Sequence, residues 1–136
     1  MVRLIIGVKG TGKTKQLIDL TNSAVDSSNG HVVCIERGDK LRYDIRREVR
    51  LIDTKEYEVR GADELYGMVC GILATNYDVK DLFIDSSLKI CDNDLESFCA
   101  FIRRLDQLCQ RLEVNCVTTV SIAPENFPEE LNGYLF

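Results

Sequence analysis

Eight residues near the start of the sequence, Gly7-Val8-Lys9-Gly10-Thr11-Gly12-Lys13-Thr14, fit the pattern G-x-x-x-x-G-K-[ST] without a mismatch. Their types suit the wrapping of a phosphate. Gly7, Gly10 and Gly12 allow backbone conformations that a Cβ forbids, so successive N–H groups turn inward around an anion. A helix beginning near Gly12 adds its positive N-terminal end at the same spot. Lys13 then supplies a cation between the β- and γ-phosphates of a nucleoside triphosphate, and the Thr14 hydroxyl a ligand for Mg²⁺. The competing reading is a glycine-rich strand-to-helix turn that binds nothing.

A metal–triphosphate site of this kind calls for a carboxylate at the end of a neighbouring strand. The run Leu82-Phe83-Ile84-Asp85, an apolar strand ending in aspartate, supplies one. Asp85 is therefore expected to act with Lys13 and Thr14, although a strand-ending aspartate is also common as a turn residue. Glu36 closes the run Val33-Cys34-Ile35, where the plain reading is an exposed acid paired with Arg37 or Lys40. Between Arg37 and Arg50 lie six basic residues (Arg37, Lys40, Arg42, Arg46, Arg47, Arg50) against the acids Asp39, Asp44 and Glu48. This segment either grips a second phosphate-bearing substrate or an acidic partner, or is a solvated face of mixed charge.

The elements that must position these residues follow from hydrophobic periodicity. Val2 to Ile6, His31 to Ile35, Asp81 to Asp85 and Asn115 to Val120 are short continuous apolar runs of the kind buried on both faces of a sheet, and Val49 to Thr54 reads as a further strand. Leu17, Leu20, Ala24 and Val25 repeat at helical spacing until Ser27-Ser28-Asn29-Gly30 stops them. Leu65, Met68, Val69, Ile72 and Leu73 mark a helix over 62–76. Gly67 and Gly71 lie on a common side of it, where a neighbouring backbone is expected to approach. The spacing predicts the clearest helix over 94–113, capped by Asn93 with Glu96, its stripe running from Leu95 through Phe98, Cys99, Ile102, Leu105, Leu108 and Cys109 to Leu112. Leu41 and Ile45 are one helical turn apart in a charged stretch that is either a short exposed helix or a structured loop. Alternating strands and helices imply parallel strands with right-handed crossovers, hence a single α/β domain over residues 1–136, a three-layer sandwich with a mostly parallel central sheet.

Composition narrows the partners. The net charge of −5 disfavours duplex nucleic acid and anionic membrane surfaces, and no stretch approaches the ~20 apolar residues of a bilayer crossing. The apolar run before Gly7 is too short for a signal peptide. Six cysteines sit in apolar segments without zinc or redox spacing, as expected of buried thiols in a reducing cytoplasm.

The glycine motif followed by a helix, the strand ending in Glu36, the strand ending in Asp85 and the strand ending near Ser121 together resemble the RecA-like (ASCE) branch of P-loop NTPases. The resemblance spans most of the chain in topology, while only Gly7–Thr14 is a specific motif. It implies a P-loop fold of minimal size, Glu36 as the candidate general base, a polar γ-phosphate sensor at Ser121, at the end of Asn115–Val120, and, with no N/T-K-x-D guanine motif present, ATP with Mg²⁺ as cofactor. The family's usual glutamate after the second acid is replaced by Ser86, and Lys9 stands one position later than the extra lysine of deviant Walker A proteins. The chain is similar to short stand-alone bacterial P-loop proteins. Three functions are compatible: a weak or partner-stimulated ATPase or nucleotide switch, a small-molecule or nucleoside kinase using the 37–50 segment for its acceptor, and a nucleotide-binding interaction module without turnover. A strand on the far side of the first one has little sequence left to form it. Leu131 to Phe136 is apolar enough to cover that edge or enter a neighbouring copy, so self-association through the tail or an open edge strand is a further expectation.

Overall fold

The computed structural model describes residues 1–136. Its strands are β1 (Val2–Gly7), β2 (His31–Glu36), β3 (Arg50–Asp53), β4 (Val79–Ile84) and β5 (Asn115–Ser121), and its helices α1 (Lys13–Ser27), α2 (Gly61–Thr75), α3 (Ser87–Ile90) and α4 (Leu95–Leu112). The five strands form one all-parallel sheet in the order β1-β5-β4-β2-β3. No helix is long and apolar enough to cross a membrane.

Strand alternation sends successive side chains to opposite faces. Val33 and Ile35 of β2 with Leu82 and Ile84 of β4 pack beneath α2 and α4, where Leu65, Val69, Phe98, Ile102 and Leu105 complete the larger core. Val32, Cys34 and Phe83 turn the other way, onto Leu17 and Ala24 of α1. Full burial of one such aliphatic or aromatic side chain is worth about 1.5–3 kcal/mol. Helices therefore cover both faces, but unequally. A loop after β2 completes the α1 side: Leu41, Ile45 and Val49 are buried there against Leu17 and Phe83. This settles the charged 39–47 stretch as a structured loop. It makes a single helical turn, Ile45 N–H donating to the Leu41 carbonyl at 3.0 Å, and then departs.

Three local expectations are corrected. The side of α2 carrying Gly67 and Gly71 faces solvent, with nothing within 4 Å of where a Cβ would stand, so no backbone approaches there. The cap of α4 is Asp94, whose carboxylate accepts from the N–H groups of Glu96 and Ser97, while Asn93 sits just outside at φ 57. Aspartate one residue later in the turn reaches the free amides that Asn93 cannot. At the two ends of the α4 stripe, Leu95 and Leu112 are exposed, and the buried set includes Phe101 and Asp106 instead. Asp106 is buried because its Oδ1 accepts from the Val2 N–H at 2.9 Å and its Oδ2 from Gln110 at 2.7 Å.

The tail closes one edge of the sheet. Two short 3₁₀ turns, Pro124–Asn126 and Glu129–Tyr134, bring Leu135 alongside Leu4, and the Phe136 N–H donates to the Leu4 carbonyl at 2.9 Å. Leu131 is wholly buried beneath it. Of the two places open to this segment, it takes the edge of its own β1. Leu131→Ala should cost about 2–5 kcal/mol, read as a lowered midpoint in urea denaturation, because the cavity would open where the tail meets the core.

Candidate phosphate and metal site

The sheet order places β5 between β1 and β4, so the loops leaving β1 and β4 face one another across the end of β5. In parallel α/β sheets this carboxyl end is where ligands collect. Gly7 closes β1, and a Cβ there would lie 2.6 Å from Thr11 Oγ1. Gly12 stands at φ 83 as the residue before α1, a left-handed conformation that other residues adopt only with strain. α1 thus starts at Lys13 with its first amides directed into the loop. Within the loop, Thr11 Oγ1 donates to the Val8 carbonyl at 2.8 Å, and Lys13 Nζ to the same carbonyl at 2.9 Å. Lys13 is largely buried and carries no ion pair. Its ammonium is held over the loop, free of any carboxylate. Val8, Lys9 and Gly10 form the exposed rim.

Across from the loop, Asp85 follows the last residue of β4. Its Oδ1 accepts from Thr14 Oγ1 at 3.2 Å and from Thr119 Oγ1 at 2.7 Å. Residues 71 positions apart in sequence, both proposed from the sequence as metal ligands, are therefore in contact. Thr119 also accepts from the Ser86 N–H at 2.7 Å. Ser86 adopts φ 57, left-handed for a residue with a Cβ, and this bond holds it there as the chain turns into α3. Thr119 was missed by sequence reasoning. The available signal was a threonine pair, Thr118-Thr119, inside an otherwise apolar strand, where a buried hydroxyl must find a partner.

These residues line a cleft of about 420 Å³. Lys9, Gly10, Gly12, Lys13 and Thr14 form one wall and Asp85 with Ser86 the other; Ser121 is at its margin, next to Gly7 in the β1–β5 register. Glu36 is not in the cleft wall. It is buried, 2% exposed, and its Oε2 accepts from the Leu41 N–H at 3.1 Å. The alternative of an exposed acid paired with Arg37 or Lys40 fails as well, since no ion pair joins them. Burial raises the Glu36 carboxyl above its ordinary value of 4.5, the amides of Leu41 and Lys40 pull it partly back, and the charges of Asp85 and Asp53 push it up again.

The basic segment divides. Arg46 is held by Asp26 at 3.0 Å and Glu48 at 2.9 Å, and Arg42 lies 4.0 Å from Asp39 and over the Tyr43 ring. Of its six cations, only Lys40 lines the cleft, joined there by Lys89 from α3. The six cysteines are free thiols, five of them buried. Burial and the neighbouring charges of Asp92 and Asp94 push Cys91 up to about 12, and Cys99 is raised to about 11. Such thiols are poor nucleophiles and poor metal ligands at neutral pH. No cluster of three His, Cys, Asp or Glu residues exists to cage a metal ion.

Thr119→Val should lower stability by about 1–3 kcal/mol in chemical denaturation, because it strands the Ser86 amide and removes a donor from Asp85. Glu36 gives a pH signature of definite sign. Its folded-state carboxyl binds a proton more readily than the unfolded one, so its contribution to stability is present at and below about pH 4.5 and is lost as the pH rises through the raised value. Melting temperatures recorded from pH 4 to 7 should show that fall in the wild type and lack it in Glu36→Gln. No protein-family model matches the chain, and no curated protein matches it.

Proposed function

We propose that the protein binds a nucleoside triphosphate, ATP by preference, together with Mg²⁺, in a P-loop site of RecA-like type, and that it works as a slow or partner-stimulated ATPase or nucleotide switch. The observation that carries this reading is the contact of Thr14 with Asp85 at the mouth of the glycine loop. A hydroxyl and a carboxylate brought together from opposite walls, one step from Lys13, suit a hard cation that takes oxygen ligands and keeps most of its waters. That donor set fits Mg²⁺ bound with phosphate oxygens. Thr14 would hold the ion directly and Asp85 through its water shell, and the ion would neutralise charge on the phosphates. The sheet order supports the RecA-like assignment, because one strand separates β1 from the strand bearing Asp85.

The protein's own groups would act by position. The amides of Gly10 to Lys13 would surround the β-phosphate, and the Lys13 ammonium, now resting on the Val8 carbonyl, would turn to bridge the β- and γ-phosphates. Ser121 stands at the cleft margin as a polar group for the terminal phosphate. Asp85 is the one carboxylate lining the cleft, and it is engaged by the hydroxyls of Thr14, Thr119 and Ser86. That observation favours nucleotide binding without turnover, the interaction module, over fast hydrolysis.

Titration calorimetry with ATP, ADP and GTP in the presence of Mg²⁺ tests this reading, with phosphate release followed in the same samples. Wild type is expected to bind ATP, and Lys13→Ala to lose at least about tenfold in affinity, the effect of removing a charge-assisted contact. Release of phosphate at any rate above that of buffer supports the ATPase. Binding without release supports the switch or interaction module. Absence of binding by the folded wild type refutes the proposal.

A further inference from the structure

The cleft holds more positive charge than its glycine loop requires. Five lysines line it, Lys9, Lys13, Lys15, Lys40 and Lys89, against the single carboxylate Asp85, in a chain whose net charge is −5. Three belong to the loop and the first turn of α1, and of these Lys15 pairs with Asp19 at 3.5 Å. The other two come from elsewhere. Lys40 lies in the loop after β2 and Lys89 in α3, after β4. Lys40 follows β2, which lies beyond β4 and Asp85 as seen from the glycine loop, whereas Lys89 sits in α3, the helix that follows Asp85 and packs over β5. Neither makes an ion pair, although the surface offers many acids.

The loop that carries Lys40 is fixed from beneath. Gly38, at φ 112, donates its N–H to Asp53 Oδ1 at 2.7 Å, and Asp53 also accepts from the Lys55 N–H. The Leu41 side chain is buried in the smaller core. Between these anchors the Glu36 carboxylate accepts the Leu41 N–H. A buried carboxylate without a cationic partner is costly to fold around. Here it is spent on the amide of the residue directly after Lys40.

We infer that Lys40 and Lys89 form a second cationic wall that engages the terminal phosphate of the bound triphosphate, and that Glu36 is the positioning residue that sets Lys40 in that wall. The inference rests on the nucleotide reading above and gives the site its preference for tri- over diphosphate. Glu36 acts through the backbone, so its role needs an acceptor oxygen and no proton transfer.

The test compares ATP and ADP affinities, with Mg²⁺, for Lys40→Ala, Lys89→Ala, Glu36→Ala and Glu36→Gln, together with amide hydrogen exchange at Leu41 in the nucleotide-free protein. Each lysine variant should lose about tenfold in ATP affinity and less than about twofold in ADP affinity. Glu36→Ala should match Lys40→Ala and speed Leu41 exchange. Glu36→Gln, which keeps an acceptor oxygen, should restore both ATP preference and Leu41 protection, and adding Lys40→Ala to Glu36→Ala should cost nothing further. Equal loss of ATP and ADP affinity, or no loss of either, overturns the lysine assignment. Loss of phosphate release in Glu36→Gln with Leu41 still protected overturns the positioning role and returns Glu36 to proton chemistry. If wild type binds neither nucleotide, the nucleotide reading and the lysine wall fall together, while Leu41 exchange still decides whether Glu36 holds the loop.

Discussion

Asp85 accepts hydrogen bonds from its neighbour Ser86 and from two hydroxyls that the chain delivers from different directions, Thr14 from the first turn of α1 and Thr119 from β5, the strand between β1 and β4. That pair of threonine bonds fixes the distance between the glycine loop and the opposite wall. It requires β5 to run between β1 and β4, and it requires β4 to end where Thr119 can reach. Ser86, in a left-handed backbone, has its amide tied to Thr119, and that turn starts α3 and brings Lys89 to the cleft. The cleft is therefore one construction rather than a loop with a nearby acid. Its hydrogen bonds cross three elements, and a small shift in any one of them would part Thr14 from Asp85.

What could be read from the sequence was local. The glycine loop needs a strand before it, a helix after it and glycines within, and all three signals fall inside about thirty residues. The strands declared themselves as apolar runs because parallel strands covered on both faces have no polar side to show. Their order in space could not be read this way, since periodicity reports which residues are buried and not which strand lies beside which. Thr119 was hidden for that reason: its importance comes from a neighbour that adjacency in sequence does not reveal. Asn93 and Asp94 are both good capping residues, and only the path of the chain into α4 decides between them. Gly67 and Gly71 share a helix side, but a common side can face solvent as readily as a neighbour.

Glu36 shows the same limit in electrostatic terms. An acid at the end of a strand has the position of a base and the position of a surface residue, and the sequence is silent on which amide will lie above it. In the structure the loop from Gly38 to Val49 folds back as part of the smaller core, because α1 alone leaves that face of the sheet short of apolar cover. The loop's return buries Glu36. Packing on one face of the sheet and the charge pattern at its carboxyl end are thus linked through one carboxylate.

The two edges of the sheet are unlike. Along β1 the returning tail occupies the backbone at Leu4, whereas β3, four residues long, pairs with β2 on one side and with nothing on the other. A sheet with both borders available can add strands without end; one with a single border available cannot. Two copies meeting through β3 would each spend their one open border on the other, and growth would stop at a pair. Were copies to join edge to edge, the few residues that fold over Leu4 would act as a terminator, setting an upper bound on how many molecules could share one continuous sheet.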